Sequence, residues 1–203
     1  MGLIDGAATR NAASLLGWTL PAAIALVSLA CLAGGDDARM ALRFDRSGIL
    51  DGDAWRLLSG HVVHLGASHW ALNVVGLGLV WYLVGEAFDV RRWLIICLLA
   101  ITAIDAGLWW LNPGLQWYVG LSGLLHGMLA AGIAGVWGRR RSEAILLAAV
   151  VAVKLGYEQI AGPLPGSELA SGAAVVVDAH LYGATGGVAA ALGLISLRRG
   201  API

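Results

Sequence analysis

Six long apolar stretches, separated by short segments that hold most of the charge, limit what this chain can fold into. They run from about Leu16 to Ala33, His64 to Val84, Trp93 to Leu111, Val119 to Trp137, Ala144 to Ile160 and Ala173 to Leu197. A helix needs about 20 mostly apolar residues to cross the roughly 30 Å hydrocarbon core of a bilayer, at about 1.5 Å per residue. Inside that core every backbone N–H and C=O must find a partner within the protein, which for apolar runs of this length means α-helices. Only 13% of the residues are charged, about half the usual share in a soluble domain. The expectation is an all-α, polytopic membrane protein: one six-helix bundle over residues 1–203, with an external loop at about 34–63. The 29 glycines fit such a bundle, since small residues let helix backbones approach closely in lipid.

The connections orient the bundle. The first apolar stretch lacks a strongly basic start and is long for a signal-peptide core, so it reads as a retained helix. Six spans put both termini on one side, where Arg10, Arg91, Arg92, Arg139, Arg140, Arg141, Arg198 and Arg199 also fall. The arginines of the 34–60 loop are balanced by acids, so the bias of basic residues toward the inner face places both termini in the cytoplasm. Asn112-Pro113-Gly114 reads as a turn, flanked by the interfacial aromatics Trp109, Trp110, Trp117 and Tyr118. Net charge is formally zero, which gives no sign of a nucleic-acid partner. Cys31 and Cys97 lie in apolar stretches and suggest no disulfide framework.

This orientation brings the starts of the second, fourth and sixth spans to similar depth near the external face, and each start carries a polar cluster. In the fourth span, Ser122 stands between Gly120 and Gly123. A serine in such a helix commonly bonds its own backbone, but these glycines leave room for a peptide, and N–H groups at a helix start can donate to an oxyanion. A nucleophilic serine needs a base, and the candidates are His61, His64, His69, His126 and His180. Gly183 and Gly187 after His180 match the spacing of Gly123 and Gly127, so two glycine faces can pack and carry His180 to Ser122. His126, one turn after Ser122, competes as the base; an i+4 ring aligns poorly with the hydroxyl, so it reads as a neighbour of His180. His69 and Asn73 share one face of the second span, either as donors to an oxyanion or as a structural pair. Asp178 points away from His180, so no third triad member is evident. His61, His64 and His69 share no helical face and have no adjacent carboxylate in the sequence, which makes metal the poorer reading. Lys154 and Glu158, one turn apart, read as a snorkelling ion pair or as the lining of a water-accessible opening.

Together these clusters resemble the rhomboid family of intramembrane serine proteases, in motif order and span position, over about residues 15–198. The family's Gly-x-Ser-Gly reads Gly120-Leu121-Ser122-Gly123, its His-x-x-Gly-x-x-x-Gly reads His180 to Gly187, and its second-span motif reads His64, His69 and Asn73. Trp55-Arg56 matches a further pair ahead of the second span. Where typical rhomboid proteases carry a tyrosine four residues after the serine, this chain has His126. With the minimal six spans, that substitution is similar to the rhombosortase subgroup.

The resemblance implies roles: Ser122 as nucleophile, His180 as base and then acid, and the Ser122 N–H with His69 and Asn73 around the oxyanion. It also implies that His64 holds the loop and its water network, and that Arg56 supports the first external loop. The implied activity is cleavage of a substrate's transmembrane segment near its periplasmic end, in a bacterial inner membrane. The implied substrates are exported proteins with a Gly-Gly-type C-terminal sorting tail, and no cofactor or metal is called for. A catalytically silent rhomboid-like protein that binds membrane clients is the rival class, and a small transporter or channel a third.

Overall fold

A computed structural model describes residues 17–172 and 174–200, without the side chains of 198–200. Arg10, the rest of the polar start at residues 1–15, Leu16, Ala173 and the Arg198 and Arg199 side chains lie outside the described residues. The chain runs through α1 (Thr19–Ala33), α2 (Gly35–Leu42), β1 (Phe44–Asp45), α3 (Arg46–Leu50), α4 (Arg56–Ser59) and α5 (Ala67–Val84). It continues through α6 (Val90–Trp110), β2 (Trp117–Tyr118), α7 (Ser122–Val136), α8 (Arg141–Ala161), α9 (Ser167–Ser171) and α10 (Val177–Gly200). The architecture is an all-α polytopic bundle, with only a two-residue antiparallel pairing of β1 and β2 in its loops among the described residues.

Each of the six apolar stretches forms a helix, but the helices differ in reach. Those beginning at Ala67, Val90, Arg141 and Val177 are long and apolar enough to cross a membrane. The α1–α2 pair qualifies only as one bent unit, kinked by 117°. Helix α7 has 15 residues, about 22 Å of rise, and so falls short of a full crossing. Several ends also differ from those read off hydropathy. Helix α6 starts ahead of Trp93 because the Asp89 carboxylate accepts the Arg92 N–H at 2.9 Å and caps it. The second span begins at Ala67, which leaves His64 in the preceding loop, and Ser122 is the first residue of its helix rather than the fourth of a span from Val119.

Helix α7 is the centre of the bundle and packs against α5, α6, α8 and α10. Its tightest contact is with α10. A Cβ on Gly127 would meet the Gly183 carbonyl oxygen at 2.8 Å, and Cβ atoms on Gly183 and Gly187 would run into the carbonyls of Gly123 and Gly127. Backbone therefore lies on backbone, as small residues four apart permit. Gly123 belongs to this seam, against the Ala179 carbonyl, Ile104 and the Tyr118 hydroxyl. It is not the opening for a peptide that the sequence suggested.

The loop region between α1 and α5 is held by two arginines. Arg46 donates to the carbonyls of Leu108, Trp109, Asn112 and Leu115 and lies over the Trp109 ring. It thereby satisfies two of the carbonyls, Leu108 and Trp109, that the end of α6 leaves without helical partners. Arg56 pairs with Asp53 at 2.9 Å and donates to the Met40 and Arg43 carbonyls, tying α2 to α4.

Gly187→Ala is expected to lower stability by about 1–3 kcal/mol through overpacking against the Gly127 carbonyl. Gly193→Ala on the same helix, with open space around the new methyl, should be neutral. Thermal unfolding of the two purified variants checks this, and equal midpoints would refute the seam.

Candidate active site

Close packing of α7 on α10 brings the Ser122 hydroxyl to 2.9 Å from His180 Nε2. The other ring nitrogen, His180 Nδ1, lies 2.9 Å from Glu158 Oε2 on α8. A carboxylate only accepts, so Nδ1 carries the proton and Nε2 presents its lone pair to the Ser122 O–H. His126 stacks on His180 with ring centroids 4.3 Å apart. Its Nδ1–H donates to the Ser122 carbonyl at 2.7 Å, so its ring lies beside His180 and away from the serine hydroxyl. The sequence alone suggests Glu158 as half of a snorkelling or water-facing pair. Its partnership with Lys154 is present at 2.6 Å, but its side chain is only 3% exposed and turns inward to His180. The missing carboxylate beside His180 is thus supplied by α8.

A cleft of about 390 Å³ opens beside the hydroxyl, with Ser122, His69, Leu65, Tyr118 and Val176 among its walls. His69 Nδ1 accepts the Leu65 N–H at 3.4 Å, leaving Nε2 as the protonated nitrogen. That nitrogen sits beside Gly120, where a Cβ would come within 3.2 Å of it. Gly120 also has φ +130°, a conformation that side-chain-bearing residues rarely adopt. Asn73 donates one amide N–H to the His69 carbonyl at 3.0 Å within its own helix. Because α7 begins at Ser122, the N–H groups of its first turn have no helical acceptor. The Tyr118 hydroxyl engages that turn, approaching the Gly123 N–H and donating to the Gly120 carbonyl at 2.8 Å.

The Rhomboid domain family matches residues 51–197. The chain belongs to the rhomboid family. Rhomboid-family proteins are in general intramembrane serine proteases that act on membrane-protein substrates within the bilayer, and this rhomboid is a multi-pass membrane protein. No curated protein sequence matches it.

Other polar groups of this rhomboid lie behind the cleft. His61, fully buried, donates from Nε2 to Asp105 of α6 at 3.1 Å. A carboxylate therefore does stand beside the histidine group, contributed by a distant part of the chain. Asp178 accepts from Asn112, whose amide oxygen accepts from Tyr182, so it pins the 112–116 turn to α10. His126, Glu158 and His180 offer three ligand-type atoms within 4.8 Å of one another. Their arrangement suits a hydrogen-bonded chain better than a metal. The two imidazoles are stacked only 20° from parallel, so their lone pairs do not converge, and the Lys154 cation already occupies the carboxylate. The residues that sequence reasoning missed are Glu158, Asp105, Arg46 and Tyr118. An acid in the last turn of the fifth span, at the same end as His180, was the one available signal for Glu158.

His64 is buried edge-on to His69, centroids 4.9 Å apart, with no well-formed hydrogen bond to either ring nitrogen among the described residues. Burial, and next the neighbouring His69, hold its imidazole down from 6.5 to about 4, against a weaker pull from the Val62 backbone. The folded protein thus keeps His64 neutral while the unfolded chain protonates it, so its contribution is complete above pH 6.5 and is lost as pH falls toward 4. The unfolding midpoint of wild type should therefore fall more steeply over that window than that of His64→Gln. Parallel curves would refute the neutral buried imidazole.

Proposed function

We propose that this rhomboid is an intramembrane serine endopeptidase in which Ser122 is the nucleophile and His180 the general base. The observation that carries the reading is the 2.9 Å contact between Ser122 Oγ and His180 Nε2 beside a cleft. As Oγ attacks a substrate carbonyl carbon, its proton passes to Nε2, and the imidazolium then protonates the leaving amine nitrogen. Water hydrolyses the acyl-enzyme by the same steps in reverse roles. The oxyanion is received by the Ser122 N–H at the start of α7 and by His69 Nε2–H. Asn73 joins them through the second N–H of its amide, the first being held by the His69 carbonyl.

The shortness of α7 supports cleavage below the membrane surface. If its far end lies level with the arginines after Trp137, its start stops about 8 Å short of the opposite edge of a 30 Å core. The distribution of arginines favours cytoplasmic termini and a periplasmic opening, in a bacterial inner membrane. The substrates best suited are membrane-anchored exported proteins with a C-terminal tail of Gly-Gly, a transmembrane helix and a basic end. His126 in place of the usual tyrosine, stacked on the base, favours this rhombosortase-type assignment.

The test is labelling with a fluorophosphonate probe and cleavage of a tailed transmembrane substrate, both in detergent. Ser122→Ala and His180→Ala should lose labelling and lower turnover by several orders of magnitude. His69→Ala should cost about 10²–10³, while His126→Ala keeps labelling. A folded wild type that neither labels nor cleaves would overturn the protease reading in favour of a client-binding rhomboid.

A further inference from the structure

We infer that Glu158 is a positioning residue for His180, and that Lys154 sets which way its carboxyl group serves the imidazole. The inference rests on the protease reading above and adds a third and a fourth member to the Ser122–His180 pair. Helix α8 contributes few buried residues to the bundle, namely Ala144, Leu155 and Glu158. An acid among them needs a reason, because an ionised carboxylate at membrane depth is costly unless paired. A plain i,i+4 ion pair with Lys154 would be satisfied at the helix surface. Instead the carboxylate is shared between helices: Oε1 takes the Lys154 ammonium at 2.6 Å, and Oε2 takes His180 Nδ1 at 2.9 Å.

This arrangement does two things for the base. It holds the tautomer with the proton on Nδ1, so Nε2 is free to receive the Ser122 proton. When that proton arrives, the imidazolium forms against a fixed negative charge 2.9 Å away. Glu158 takes no proton in either step. The Nδ1 hydrogen stays on the ring, and the Nε2 hydrogen goes on to the leaving amine. Lys154 keeps the carboxylate anionic and occupies its other oxygen, so the group cannot rotate away.

The geometry makes a sharp prediction for Glu158→Gln. An ammonium can only donate, so Lys154 captures the amide oxygen and leaves the NH₂ facing His180 Nδ1. Nδ1 must then accept, which moves the ring proton to Nε2 and turns it toward Ser122. The base is disabled by its tautomer with little change in shape. Removing Lys154 in the same protein frees the amide to turn, so that its oxygen again accepts from Nδ1.

The experiment measures kcat and KM on a transmembrane substrate, together with probe labelling and thermal midpoints. The variants are Glu158→Gln, Lys154→Met and the double variant, beside wild type and Ser122→Ala. Glu158→Gln is expected to lower kcat by about 10²–10⁴, with KM within about threefold and an unchanged midpoint. The double variant is expected to recover at least about tenfold in kcat over Glu158→Gln alone. The inference is overturned if Glu158→Gln keeps kcat within about threefold of wild type. It is equally overturned if kcat, KM and midpoint fall together and the double variant falls further, as a purely structural ion pair requires. A wild type that neither reacts with the probe nor cleaves sinks the protease reading itself. Normal wild-type reaction with an unaffected Glu158→Gln sinks only the positioning role.

Discussion

The contact between the backbones of α7 and α10 is the constraint on which the rest of this rhomboid depends. Lipid offers no hydrophobic drive for helices to associate, so the pair is held by close van der Waals approach over glycine. With Gly183 against Gly123 and Gly187 against Gly127, the two axes come near enough for side chains beside the seam, or one turn from it, to meet. Ser122 and His180 are such side chains. Any residue larger than glycine would separate the helices by the thickness of a methyl group, and a 2.9 Å hydrogen bond does not survive that displacement.

A second set of contacts builds the rim of the cleft. Arg46 ties the loop to the end of α6, and Asp45 and Phe44 pair with Trp117 and Tyr118. The Gly120 N–H then reaches the Gly60 carbonyl at 3.1 Å. These bonds fix the approach to α7, so that Gly120 turns with a positive φ directly beside His69. The loop between α1 and α5 is thus a brace that sets the position of the first residue of α7, and the membrane helices alone would not provide it.

Buried charge is handled by pairing, both within a helix and between distant parts of the chain. His61 meets Asp105, and Lys154, Glu158 and His180 form one chain ending at the Ser122 hydroxyl. Lys154 and Glu158 share α8, while the Glu158–His180 contact joins α8 to α10 and the His61–Asp105 contact ties the segment before α5 to α6, so these two contacts both neutralise their members and fix distant parts of the chain in register. For Glu158 the second role coincides with the chemistry, because the group it orients is the one that faces the serine.

Much of this was legible in the sequence. Apolar runs of membrane length dictate helices, and the Gly-x-Ser-Gly and His-x-x-Gly-x-x-x-Gly patterns named the family and the glycine faces that meet. These features are local or periodic, so they can be read from spacing alone. Helix ends were less legible, since hydropathy does not register the Asp89 cap that starts α6 or the loop that holds His64. What only the tertiary structure decided is pairing between distant polar residues. Nothing in the spacing of Lys154 and Glu158 says that one carboxylate oxygen turns inward to a histidine 22 residues later. Nor does it say that Asp105 meets a histidine 44 residues earlier. A helix face can be computed from a period of 3.6 residues, but which faces oppose one another depends on how all the helices pack.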